Sequence, residues 1–161
     1  MVRWLGQRDG FRCAPIALVN IMKWAGVKKF RGRRVNEELA KGYLCKICKT
    51  TREGTWPSKS ESLLRKIPGI AVSKRLHPKL YMVKDHLKHG GIILLEYGPI
   101  DPVTGETTWH YAILLDSFAN GRLYTILNPV TGNAKGIIRK QTLRKYLRHP
   151  DATIHLISKR S

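Results

Sequence analysis

The chain has 161 residues, 42% of them hydrophobic, and carries 30 Lys and Arg against 11 Asp and Glu, a net charge of +19. That length suits one compact domain over residues 1–161, and no stretch reaches the roughly 18–20 apolar residues of a membrane span. Three cysteines without a repeated spacing exclude a disulfide scaffold and point to thiols in a reducing compartment.

Residues Cys13 to Ala25 (CAPIALVNIMKWA) are apolar on nearly every side, interrupted only by Asn20 and Lys23, and Gly26 supplies a stop. This is the pattern of a helix buried at the centre of a domain, and Pro15 is acceptable in its first turn because that N–H has no intrahelical partner. Val27 to Arg34 (VKKFRGRR) is expected to be a basic loop, followed by a short helix from about Asn36 to Leu44. There Asn36 can cap, and Glu37 and Glu38 complement the helix dipole. Cys45 to Pro57 reads as loop. Ser58 or Ser60 opens a further helix to about Lys66, stopped by Pro68 and Gly69, and Ile70 to Leu76 reads as a strand.

The spacing of Leu80, Met82, Val83 and Leu87 predicts an amphipathic helix over Lys79 to His89. Gly90 and Gly91 then release the chain into an apolar strand, Ile92 to Tyr97. A turn-rich segment, Pro99 to Glu106, leads to a strand at Trp109 to Asp116. Asn120-Gly121 is a hairpin signal before Arg122 to Leu127, and a helix near Gln141 to Arg148 and a strand at Thr153 to Ser158 close the chain. Helices followed by an antiparallel sheet make the class α+β.

Cys13 opens the apolar helix, where the positive end of the helix dipole favours thiolate over thiol. A nucleophile for acyl transfer also needs a base and donors for the oxyanion. Gln7, six residues upstream across a polar turn, can bring its amide to the helix end, and His110 opens a strongly apolar strand. Asn128, at the end of the next strand, can orient the imidazole through its side-chain carbonyl. Asp116 competes for that role but lies six residues along the same strand as His110, about 20 Å away if extended. Trp109, beside His110, is expected to shield the hydrogen bond of the site from water.

The order Gln, Cys, His, Asn resembles the papain-like superfamily, and within it the double-glycine leader peptidases attached to bacteriocin-exporting transporters. The residues that carry the resemblance are Gln7, the Cys13 helix, the strand His110-Tyr111-Ala112-Ile113-Leu114, and the turn Asn128-Pro129-Val130-Thr131-Gly132. The resemblance implies a central buried helix packed on a C-terminal antiparallel sheet, and a cysteine peptidase working through an acyl-thioenzyme. In it Gln7 is the oxyanion donor, Cys13 the nucleophile, His110 the base and then acid, and Asn128 the orienting group. Ala14 stands where that subtype has Gly, and Asn128 where it has Asp, although Asn is usual in papain-type enzymes. The leader-peptide substrate is therefore not carried over. A catalytically silent binding module on the same fold is the rival expectation.

Cys45 and Cys48 form a Cys-x2-Cys pair, and His86 and His89 a His-x2-His pair, formally enough ligands for a tetrahedral zinc. Two thiols and two surface histidines are the simpler expectation, with no metal or cofactor. The basic clusters at Lys28 to Arg34 and Arg139 to Arg148 favour anionic partners, so the expected substrate is an acidic peptide or protein. Non-specific contact with nucleic acid or another polyanion is expected beside it. With the candidate site beginning at Gln7, no room is left for a cleavable leader, and a cytoplasmic location is expected.

Overall fold

The computed structural model describes residues 2–6, 12–51, 55–98, 109–127 and 134–160. Helix α1 (Cys13–Trp24) forms where its apolar composition requires, and every residue from Cys13 to Met22 is buried, Pro15 included. A helix without a polar stripe has to be covered on all sides, so α1 lies between the sheet and the other N-terminal helices.

The basic stretch that follows is a hairpin and not a loop. Strand β1 (Lys29–Phe30) pairs antiparallel with β2 (Arg33–Arg34), and Arg31 and Gly32 between them take φ values of 49° and 77°. Two successive left-handed residues fit the right-handed twist of a tight hairpin. Arg-Gly is a weak sequence signal for such a turn, since Asn or Asp usually takes the first place.

Helix α2 (Glu37–Leu39) starts as expected: Asn36 Oδ1 accepts from the Leu39 N–H at 3.1 Å. It continues beyond the expected end through a π-helical turn, Ala40–Leu44, into α3 (Cys45–Ile47), so Cys45 and Cys48 stand at a helix end and not in a loop. Helix α4 (Pro57–Leu64) begins at its proline, which costs nothing at the first helical position.

Strand β3 (Ile70–Leu76) and helix α5 (Leu80–Lys88) precede β4 (Ile92–Tyr97), β5 (His110–Phe118) and β6 (Leu123–Leu127). Then come β7 (Lys135–Arg139), α6 (Lys140–Leu147) and β8 (Thr153–Lys159). The strands form one six-stranded sheet in the order β3-β8-β4-β5-β6-β7, with every pairing antiparallel. The chain's last strand thus enters between β3 and β4. Strand β7 was not expected; its alternately exposed KGIIR carries too short an apolar pattern to mark an edge strand.

Both faces of the sheet are covered, which is why β4 reads as a continuous apolar run. One face presents Ile92, Leu94, Tyr111, Ile113 and Leu127 to α1 and its neighbours. The other presents Ile93, Leu95, Tyr97, Ala112 and Ile126 to α5 and α6. A buried ion-pair partner interrupts the apolar packing: His155 is fully buried and its Nε2 lies 2.7 Å from Glu96 Oε1. No helix among the described residues is long and apolar enough to cross a membrane.

Candidate active site

Cys13 is the first residue of α1 and is 4% exposed. The N-cap, Arg12, gives no side-chain capping bond and the first turn holds no acidic residue, so the helix dipole at Cys13 is not offset from within the helix. All three cysteines are thiols.

His110 is the first residue of β5, buried at 9% exposure, directly across from Tyr97 of β4. Its ring meets the Tyr97 ring edge-on, with centroids 5.7 Å apart, and Tyr97 stacks on Tyr146 of α6 at 4.2 Å. Two packed aromatic rings therefore fix the imidazole plane from behind. Tyr111, the next residue, belongs to the opposite face and lies 3.4 Å from Ser60 Oγ of α4.

Helix α1 packs on β5. Burial pushes the Tyr97 and Tyr111 phenols upward, and in both the negative charge that Cys13 can carry adds to the rise. Those two tyrosines are the cross-strand partner and the chain neighbour of His110. The mouth of α1 thus stands at the same end of the sheet as the imidazole.

The chain ahead of Cys13 is held by a residue whose role the sequence did not disclose. Asn20, fully buried on α1, accepts from the Leu5 N–H through Oδ1 and donates to the Leu5 carbonyl through Nδ2, both at 2.9 Å. Lys23 Nζ donates to the Arg3 carbonyl at 2.6 Å. With Arg3 beside Lys23 and Leu5 beside Asn20, the arm runs along α1 toward Cys13. Gly6 ends it against β7's approach: a Cβ there would come within 2.8 Å of the Ala134 backbone nitrogen. The available signal was Asn20 itself, because a polar side chain inside an otherwise apolar helix has to find partners.

Gln7 and Asn128 lie outside the described residues. Asp116 is exposed on β5, past a register shift that follows Leu114. Trp109 is 51% exposed and sets its ring edge-on to His149, with centroids 5.5 Å apart. The four residues of the formal zinc alternative do not come together as a metal site among the described residues. His86 Nε2 on α5 donates to the Ile157 carbonyl at 2.9 Å, and Nδ1 of His89, which caps that helix, donates to the Asp85 carbonyl at 2.8 Å. Cys48 is buried near Tyr111, and the described residues contain no group of three or more ligands placed to hold a metal. Burial first, and then Cys45, push the Cys48 thiol up to about 12, so it is an inert thiol at neutral pH.

Neither a protein-family model nor a curated protein sequence matches the chain. Among solved structures it is similar to the peptidase domain of Streptococcus ComA, a bifunctional ABC transporter involved in quorum sensing. The TM-score is 0.66 at 14% identity, over 99% of this chain and 100% of that one. It is also similar to a Bacillus anthracis protein described as a C39-like peptidase, with a TM-score of 0.69 at 11% identity, over 99% of this chain and 96% of that one. Central helix and antiparallel sheet accordingly form the papain-like fold of C39 peptidase domains.

Proposed function

We propose that the chain is a cysteine peptidase, or a related amide hydrolase, that forms an acyl-thioenzyme on Cys13 with His110 as base. What supports this reading is a buried cysteine opening the central helix, which packs on the strand that His110 opens, within the fold of C39 peptidase domains.

In the proposed cycle the Cys13 thiolate adds to the scissile carbonyl carbon. The oxyanion is held by the Cys13 backbone N–H and the Gln7 amide. Collapse of the tetrahedral species breaks the C–N bond, and the His110 imidazolium protonates the departing amine, leaving a thioester. His110 then takes a proton from water, hydroxide adds to the thioester carbonyl, and collapse expels the Cys13 thiolate with the carboxylic acid product. Asn128 holds the imidazole in the tautomer this requires. The edge-on Tyr97 ring and the Tyr146 stack behind it limit the swing of His110 between its two proton transfers. An amine replacing water in the second half would make the same site a transferase. The net charge of +19 favours an acidic peptide as substrate.

The test is intact-mass measurement of the chain after exposure to a peptide mixture with quenching in acid. The expected result is an acyl adduct on Cys13 that a Cys13→Ser variant does not form. No adduct on Cys13 across acidic and neutral peptides, with His110→Ala indistinguishable from the parent, would mean a silent binding module.

A further inference from the structure

Away from the cysteine, the basic hairpin and the π-helical turn enclose a concavity of about 690 Å³ lined by Arg33, Gly42, Tyr43, Lys46 and Ile47. We propose that this concavity binds single-stranded nucleic acid, with cations on its rim for phosphates and Tyr43 and its stacked Arg33 for a base.

The local charge is one-sided. Residues 28 to 49 hold eight Lys and Arg against Glu37 and Glu38, and Glu37 is engaged by Lys41 at 2.8 Å. Arg33 and Lys46 enter no ion pair among the described residues. Such a surface lowers its own electrostatic energy by taking up a polyanion and releasing counterions.

The aromatic residues decide between polyanions. The Arg33 guanidinium lies 4.6 Å above the Tyr43 ring centre, and Arg31 Nη1 donates to Tyr43 Oη at 3.3 Å. Three residues beyond Lys46, past the helix end, Lys49 Nζ stands 5.6 Å from the ring centre of Trp56, which is 59% exposed. Alternating cations and π faces match a strand whose phosphates and bases alternate. An anionic membrane would call for exposed aliphatic side chains at the hairpin tip, where Arg31 and Gly32 stand instead. An acidic peptide gives the aromatic rings no comparable partner.

Gly42, exposed on the π-helical turn, lines the concavity, and a Cβ there would meet nothing within 4 Å, so a larger side chain has room at that place. Single π-helical turns are frequent at functional sites, and helix propensity would favour almost any other residue at that position.

The test measures binding of fluorescent 12-nucleotide single-stranded RNA and DNA to the full chain by anisotropy across a salt series. Four cations, Arg31, Arg33, Lys46 and Lys49, give an expected log–log salt slope of about −3. Arg33→Glu with Lys46→Glu should make that slope shallower by about 1.4 and weaken binding. Gly42→Leu, which keeps every charge and adds bulk to the lining beside Tyr43, should weaken binding about tenfold, the scale of one lost base stack. Circular dichroism of Gly42→Leu should match the parent. The control reverses two exposed cations on and after α6, Lys145→Glu with Arg148→Glu. Loss from this control as large as from the Arg33 and Lys46 pair would overturn the proposal. So would unchanged binding in Gly42→Leu, no binding by the parent chain, or tighter capture of polyaspartate or phosphatidylserine vesicles than of the oligonucleotide.

Discussion

Replacing Asn20 by Leu tests the arm that leads into the site. Leu has nearly the shape of Asn but neither donor nor acceptor, so the change deletes both 2.9 Å bonds to Leu5 while keeping α1 packed. Two partly buried backbone groups would lose their partners at about 1–3 kcal/mol each, and the arm can escape part of that cost by lifting into water. The apolar gain of a buried Leu offsets about a further 1 kcal/mol, leaving a net loss of about 1–3 kcal/mol. Urea denaturation reads the global part, and hydrogen exchange at the Leu5 amide reads the local part. Gln7 follows this arm in sequence, so the variant should also lose oxyanion stabilisation while retaining the thiol. Capture of a peptide aldehyde as a thiohemiacetal should weaken about tenfold or more, whereas iodoacetamide alkylation of Cys13, which forms no oxyanion, should change less than about twofold. Stability within about 0.5 kcal/mol of the parent, with the Leu5 amide still protected, would refute the clamp.

Gly6→Ala should destabilise the chain by about 1–3 kcal/mol in the same denaturation assay, because its Cβ would meet the Ala134 backbone at 2.8 Å; an effect below about 0.5 kcal/mol would mean that the two segments part freely. Glu61 accepts from Lys74 at 2.7 Å and Arg65 at 3.0 Å, and the Lys74 bond above all holds its carboxyl below the usual range. A depressed carboxyl stabilises the fold above its unfolded value of about 4.3 and loses that contribution as pH falls through the folded value. Glu61→Gln should therefore cost less than about 1 kcal/mol at pH 7, as its partners are partly exposed, with the difference from the parent shrinking as pH falls below about 4 in acid denaturation. A gap that widens toward acid would contradict this sign.

The elements that sequence made legible are those whose packing is written in their own residues. Cys13 to Ala25 could only be a covered helix, and Ile92 to Tyr97 a strand covered on both faces. The Asn120-Gly121 turn formed as its chemistry demands, with φ values of 55° and 74°. What escaped depends on partners distant in the chain. The hairpin at Lys29–Arg34 carries almost no apolar alternation, β7 is an edge strand, and the insertion of β8 between β3 and β4 follows from pairing energies no local window contains. In the site, residue types marked Cys13 and His110, since a thiol at a helix mouth and an imidazole at a strand mouth are local features. The ring stack behind His110 and the Asn20 clamp are tertiary contacts, legible only as unexplained residues: a tyrosine on each of two elements and one amide in an apolar helix.

Selective reactivity of Cys13 tests the central claim most directly. Iodoacetamide alkylation of the full chain, followed by peptide mapping from pH 5 to 9, gives separate rates for Cys13, Cys45 and Cys48. The account predicts that Cys13 reacts fastest and keeps its rate well below the ordinary thiol value of about 8.5, that His110→Ala slows it at neutral pH, and that Cys48 reacts slowest. Equal labelling of the three thiols, or a Cys13 rate indifferent to His110→Ala, would contradict it.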